Sequence, residues 1–259
     1  MFDLRPVVAL LLFSACGKAD SDPCFAPRDP EYQGECSTLE ETWVMSKSAL
    51  PDFGPFCSAP CIDVDAGVTI GGFTNLAEAP LVRKFRRVRG LSVDAHAARD
   101  LTGLETVEVE RLYLTGTGVD DAFQSMRGLN VTSVAALGLT SISGREFFSG
   151  SALVHVASAS IDATGLTSVD LGSLSFDQLK LEANAELLSV RLPDSAMVAL
   201  TLSDNPKLNE LGWDAGTRVR TIDIVLNDAL SSCLVDEFVA SVKVDGGLPP
   251  RILDNGPCP

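Results

Sequence analysis

Few side chains in this 259-residue chain combine the type and spacing that chemistry demands. It has seven cysteines and two histidines. Cys16 falls in an apolar N-terminal segment, and the other six, Cys24, Cys36, Cys57, Cys61, Cys233 and Cys258, form an even set. A zinc site built on thiolates needs closely spaced ligand pairs. Cys57-x3-Cys61 is tolerable, but Cys24-x11-Cys36 is not a ligand pair. Paired as disulfides, the six imply an exported protein in an oxidising compartment. Cys233–Cys258 is the simplest C-terminal pair, whereas the four N-terminal cysteines admit three pairings. There is no glycine loop to cradle phosphate and no His-rich metal motif, so no cofactor or metal is expected.

The remaining candidates must be read through the elements that position them. Residues 1–5 form a short n-region, followed by the apolar run Pro6–Phe13 and then Ser14, Ala15 and Cys16. A run this short, ending in small residues, reads as a secretory signal and not as a spanning helix. Phe13-Ser14-Ala15-Cys16 resembles the lipobox of bacterial lipoproteins, which implies diacylation of Cys16 and a membrane anchor. Gly17, where inner-membrane lipoproteins typically carry Asp, implies the outer membrane of the cell envelope. An ordinary cleaved signal that leaves Cys16 unlipidated is the alternative.

Beyond the tether the chain repeats. Phe176-x-x-Leu179-x-Leu181-x-x-Asn184-x-x-Leu187 is followed by Met197-x-x-Leu200-x-Leu202-x-x-Asn205-x-x-Leu208 and Val219-x-x-Ile222-x-Ile224-x-x-Asn227-x-x-Leu230. Extended backwards, the frame predicts strand pairs at Val154-x-Val156, Val134-x-Ala136, Leu112-x-Leu114, Leu91-x-Val93 and Val68-x-Ile70, eight coils of about 22 residues in all. In the five earlier coils the position equivalent to Asn holds Phe73, His96, Thr117, Leu139 and Ala159. Such units cannot bury a core alone, so they stack as a solenoid. The Asn side chains are expected to satisfy backbone groups stranded by each turn. The reading is mainly β, a parallel solenoid over residues 63–232. Residues 1–15 are the signal, 16–23 a tether, 24–62 a cysteine-containing cap and 233–259 a second cap. Apolar positions 234, 235, 238, 239 and 242 have helical spacing, which predicts a short capping helix.

These units resemble leucine-rich repeats, and the two-residue gap after Asn, as in Asn205-Pro-Lys-Leu208, is closer to receptor L domains. That resemblance implies a right-handed β-helical, non-catalytic, ligand-binding fold. The exposed row of such a sheet is predicted to run Thr69, Ser92, Tyr113, Ala135, His155, Lys180, Thr201, Asp223, flanked by Asp94, Arg111, Thr115, Gln178, Glu182 and Ser203. Arg111, Tyr113, His155, Lys180, Glu182 and Asp223 are the candidate binding residues.

A β-helix glycan-processing enzyme would cluster carboxylates on neighbouring coils. Coil counting separates Asp94 from Glu182 by roughly 19 Å and Glu182 from Asp223 by roughly 10 Å, against about 6.5–9.5 Å for an inverting pair. A Ser-His-Asp set would have to use His96 or His155. Arg83, Lys84, Arg86, Arg87 and Arg89 form a basic cluster, read either as a docking patch for an anionic envelope component or as a solvated coil edge. The formal charge of −15 argues against nucleic acid. The expectation is a membrane-anchored, non-catalytic module recognising a protein or glycan. A spacer without a ligand is the alternative, and a glycan-processing enzyme a more distant one.

Overall fold

The computed structural model of the chain describes residues 22–29, 31–117, 123–142, 152–243 and 247–258. Cys16, the signal and most of the tether lie outside them. Each full coil contributes one strand in which an inward residue is followed by two outward ones, then inward, outward, inward. In β5 (Glu108–Thr115) this places Val109, Leu112 and Leu114 inside. The same pattern shapes β6 (Ser133–Thr140), β7 (His155–Asp162), β9 (Ser175–Glu182), β11 (Ala196–Ser203) and β13 (Arg218–Val225). Two longer strands, β3 (Ile62–Gly71) and β4 (Phe85–Asp94), precede them.

These strands stack in parallel into one sheet of a solenoid of about eight turns. Its N-terminal edge is made by β1 (Ser37–Leu39) and β2 (Trp43–Ser46), which pair with the first and second halves of β3. The cap therefore adds strands to the sheet it covers. At the other edge, β14 (Arg251–Leu253) pairs with β13. A second parallel sheet joins β8 (Ser168–Asp170), β10 (Ser189–Arg191) and β12 (Glu210–Gly212) in the C-terminal coils. The expected capping helix is α2 (Ser232–Val242), which follows the four-residue helix α1 (Gly54–Cys57) in chain order. It buries Val235, Phe238 and Val242. The disulfides are Cys24–Cys57, Cys36–Cys61 and Cys233–Cys258.

The register differs from the sequence frame in two coils. Val134 and Val156 are inward, but they occupy the first inner row beside Val109 and Phe176. The pairs equivalent to Leu112-x-Leu114 are Leu137-x-Leu139 and Ala159-x-Ile161. Each strand has three inward positions, and each pair read from the sequence holds only one of them, since Ala136 faces outward and Val154 is exposed. The frame is displaced by three residues in β6 and five in β7, and an odd displacement exchanges inward for outward positions because side chains alternate along a strand.

Strand ends are equally regular. Gly72, Ser141, Ala163, Ala183, Asp204, Leu226 and Asp254 all have φ between 48° and 75°. A left-handed non-glycine residue costs about 1–2 kcal/mol. The amides donate across to the next coil all the same, as Ala183 does to Ser203 O at 3.1 Å and Asp204 to Val225 O at 3.1 Å. The kink turns the following residue inward.

Candidate functional site

The residue after each kink is Phe73, Ile142, Thr164, Asn184, Asn205, Asn227 or Asn255, so Ile142 and Thr164 take the positions that the sequence frame assigns to Leu139 and Ala159. At Ala95 and Gly116 the backbone does not enter the left-handed region, and the following His96 and Thr117 are exposed. His96 is a turn residue, its backbone N–H donating to Asp94 Oδ1 at 3.0 Å.

From Thr164 onward the turn residues form a continuous ladder. Asn255 Oδ1 accepts from Asn227 Nδ2 at 3.2 Å, and Asn227 Oδ1 accepts from Asn205 Nδ2 at 3.0 Å. Asn205 Oδ1 accepts from Asn184 Nδ2 at 3.0 Å, and Asn184 Oδ1 from the Thr164 hydroxyl and backbone N–H at 2.6 and 3.0 Å. The amides also donate to Ile161, Leu181, Leu202 and Ile224 carbonyls. Asn184, Asn205 and Asn227 have no exposed surface. Both ends of each amide are used inside the wall, so the ladder positions the coils and offers nothing to a ligand. Each Asn carbonyl also accepts from the residue three on, Leu187, Leu208 or Leu230, which accounts for the two-residue gap in the repeat.

On the large sheet the middle outward row runs Thr69, Ser92, Tyr113, Gly138, Ser160, Lys180, Thr201, Asp223, Arg251. Ala135 and His155, which the sequence places in this row, lie outside it. Tyr113 lies over Gly138, where an added Cβ would come within 2.7 Å of the Tyr113 ring. Next to it, Ala136 and Ser158 stand between Arg111 and Gln178. The result is a band of small residues two coils wide, with bulkier polar side chains on either side. Glu182 and Asp223 do not form a pair. Glu182 bonds to Lys180 and holds that ammonium above the usual lysine range, while Asp223 accepts from Arg251 at 3.2 Å. Arg111 approaches Glu110 at 3.5 Å.

His155 starts its strand, opposite Ser133 and Ser175. Its Nδ1 is 2.9 Å from Ser175 Oγ and its Nε2 3.9 Å from Asp177 Oδ2. Val154 O, 3.2 Å from the Ser175 hydroxyl, competes with the imidazole for its proton, and with Nδ1 protonated the hydroxyl accepts from His155. A serine nucleophile needs the opposite direction, with the imidazole taking its proton.

The basic cluster does not present one patch. Lys84 is buried and donates to the Cys57 and Ala59 carbonyls, both at 2.7 Å. Desolvation lowers its pKa. Arg86 forks onto Asp63, which raises its pKa, and Arg87 bonds to Asp65 at 2.9 Å. Arg83 lies in a cap cleft with Arg28, and Arg89 stands opposite Glu110 by register. Strand alternation and the carboxylates of β3 divide the charge.

The sequence frame read no surface beyond Leu187 and Leu208. The outward rows of the second sheet are Ser168, Ser189, Glu210 and Asp170, Arg191, Gly212. Over them opens a cleft of about 670 Å³, walled by Trp213, Asp214, Asn209 and Leu234. Their alternation around buried Val169, Val190 and Leu211 is visible in the sequence, but the segments are three residues long and have no period of their own.

Among the described residues no three His, Cys, Asp or Glu side chains are grouped to hold a metal ion, and no helix is long and apolar enough to cross a membrane. No known family model, characterised protein or solved structure matches the chain.

Proposed function

We propose that this chain is an exported, lipid-anchored recognition module of the bacterial cell envelope, with a receptor-L-like solenoid that binds a protein or glycan without transforming it. Three disulfides suit an oxidising compartment, and Phe13-Ser14-Ala15-Cys16 would supply the anchor at the outer membrane. The observation that carries the reading is Tyr113, 42% exposed and packed close over Gly138 beside the small-residue band. An exposed aromatic ring next to a shallow band offers contact area at little entropic cost. The neighbouring charges, Lys180–Glu182 and Asp223–Arg251, are already paired and add orientation more than affinity.

The test is a pull-down from solubilised envelope, with oxidised residues 22–259 as bait beside Tyr113→Ala and Ser160→Arg variants. A saturable protein or glycan retained by the parent and lost by both variants supports recognition by this face. Saturable retention that ignores both substitutions moves recognition off this face, and no retention at low and moderate salt leaves the spacer as the better reading. Palmitate labelling that disappears in Cys16→Ala tests the anchor separately.

A further inference from the structure

The second sheet carries a site of its own, independent of the large sheet's face. We propose that the cleft over β8, β10 and β12 binds a neutral saccharide. Its volume of about 670 Å³ lies within the range of small-ligand sites, about 300–1,000 Å³. Arg191 crosses Gly212, where an added Cβ would stand 3.8 Å from the Arg191 Cγ, and its Nη2 donates to Asp214 Oδ2 at 3.0 Å. That bond first, then the charges of Asp214, Asp170 and Asp194, raise the pKa of the guanidinium. Asp170 Oδ1 accepts the Gly172 N–H at 2.9 Å, which fixes the carboxylate at the other side of Arg191. Trp213 is braced edge-on against Phe238 of α2, with ring centroids 5.2 Å apart.

Adjacent sugar hydroxyls are each donor and acceptor, and they suit planar groups that offer two atoms side by side. The cleft supplies such groups in Asp170, Arg191, Asn209, Glu210 and Asp214, with one indole for the apolar C–H face of a ring. Charge narrows the class. Three carboxylates against one guanidinium repel phosphates and uronates. Asp214 is bonded to Arg191 and Asp170 accepts the Gly172 N–H, which leaves Glu210 alone as the carboxylate open to a cationic peptide. The neutral, hydroxyl-rich ligand is the one that meets both conditions.

The probes are neutral β-glucan, α-glucan and chitin oligosaccharides, with oligogalacturonate and hexalysine as charged controls, titrated through the millimolar range by calorimetry and saturation-transfer NMR. At least one neutral oligosaccharide should bind. Its affinity should fall at least tenfold in Asp170→Ala, Glu210→Ala and Trp213→Phe, the last keeping a ring against Phe238, and stay unchanged in Tyr113→Ala. The proposal is overturned if no neutral sugar binds a protein whose circular dichroism and melting are those of the native fold. Equal binding by the three cleft variants, or preference for a charged control, also overturns it. Because Tyr113 is the reporter of the other face, loss only in Tyr113→Ala would move the sugar there.

Discussion

Between Thr164 and Asn255 every coil turn is closed by a polar side chain bonded to the next, whereas between Phe73 and Ile142 the same position is apolar or faces solvent. The difference reaches beyond the turn. The strands of the second sheet begin four residues after Thr164 and five after Asn184 and Asn205. A ladder that holds successive turns at one height lets the segments that follow lie parallel, and the sheet and its cleft result. In the N-terminal coils Phe73 and Ile142 cannot extend such a ladder, because their side chains neither donate nor accept. These coils are secured from outside, by two disulfides, by Lys84 on two cap carbonyls, and by Arg86 and Arg87 on β3. One half is aligned from within and the other stapled at its end.

Removing the staples should give the largest effect. Closing loops of 33 and 25 residues is worth about 3–4 kcal/mol each in chain entropy. Replacing Cys24, Cys36, Cys57 and Cys61 together by Ser should lower the urea midpoint by the equivalent of about 7 kcal/mol. Hydrogen exchange should show β3 and β4 losing protection before β11 and β13. Uniform loss across the sheet would show that the two halves open as one unit.

Within the ladder, Asn205→Leu keeps the volume but strands the Asn184 amide and the Leu181 and Ser203 carbonyls. Each buried group left unsatisfied costs about 1–3 kcal/mol, so a loss of about 4 kcal/mol is expected. Ile142→Val, at the apolar equivalent, should cost only about 1 kcal/mol. Denaturant titration of the two variants measures the contrast directly. Equal losses would mean that the ladder is no more demanding than the hydrocarbon it replaces.

Lys84→Met tests the stapled half at one side chain. It leaves the Cys57 and Ala59 carbonyls without their donor and should cost about 2 kcal/mol. There is also a pH signature. Desolvation lowers the folded-state pKa of Lys84, so the unfolded chain holds the proton more tightly. The stability of the native protein should therefore rise with pH through the window from that lowered value up to the ordinary lysine range. The increment should be absent in Lys84→Met, and its persistence there would assign it elsewhere.

Where the repeat was dense the sequence was enough. Three matching Asn units placed β9, β11, β13 and the ladder correctly, and Asn255 was missed only because 28 residues separate it from Asn227. In β6 and β7 the strand has three apolar positions and no Asn to mark the end, so the frame slipped and carried His155 onto the wrong row. The kinks at Ser141 and Ala163 leave no composition signal, since neither residue is one the left-handed region favours. The cleft was illegible for another reason. Asp170, Arg191 and Asp214 are 21 and 23 residues apart and meet only because the ladder sets the coil length.

The smallest effect is expected where the two regions join, at His155 on β7 and Ser175 on β9. Seen as a list of types, Ser175, His155 and Asp177 are the three groups of a hydrolase. Their geometry does not complete the relay: Val154 O competes with the imidazole for the Ser175 proton, and Asp177 stands beyond hydrogen-bond reach of His155. All three are partly open to solvent, where such contacts contribute little. Ser175→Ala and His155→Ala should each change stability by less than about 0.5 kcal/mol, and a serine-directed fluorophosphonate should leave Ser175 unmodified by mass spectrometry. Labelling of Ser175 that vanished in His155→Ala would mean that the imidazole does take the proton, and the seam between stapled and laddered coils would then be an active site.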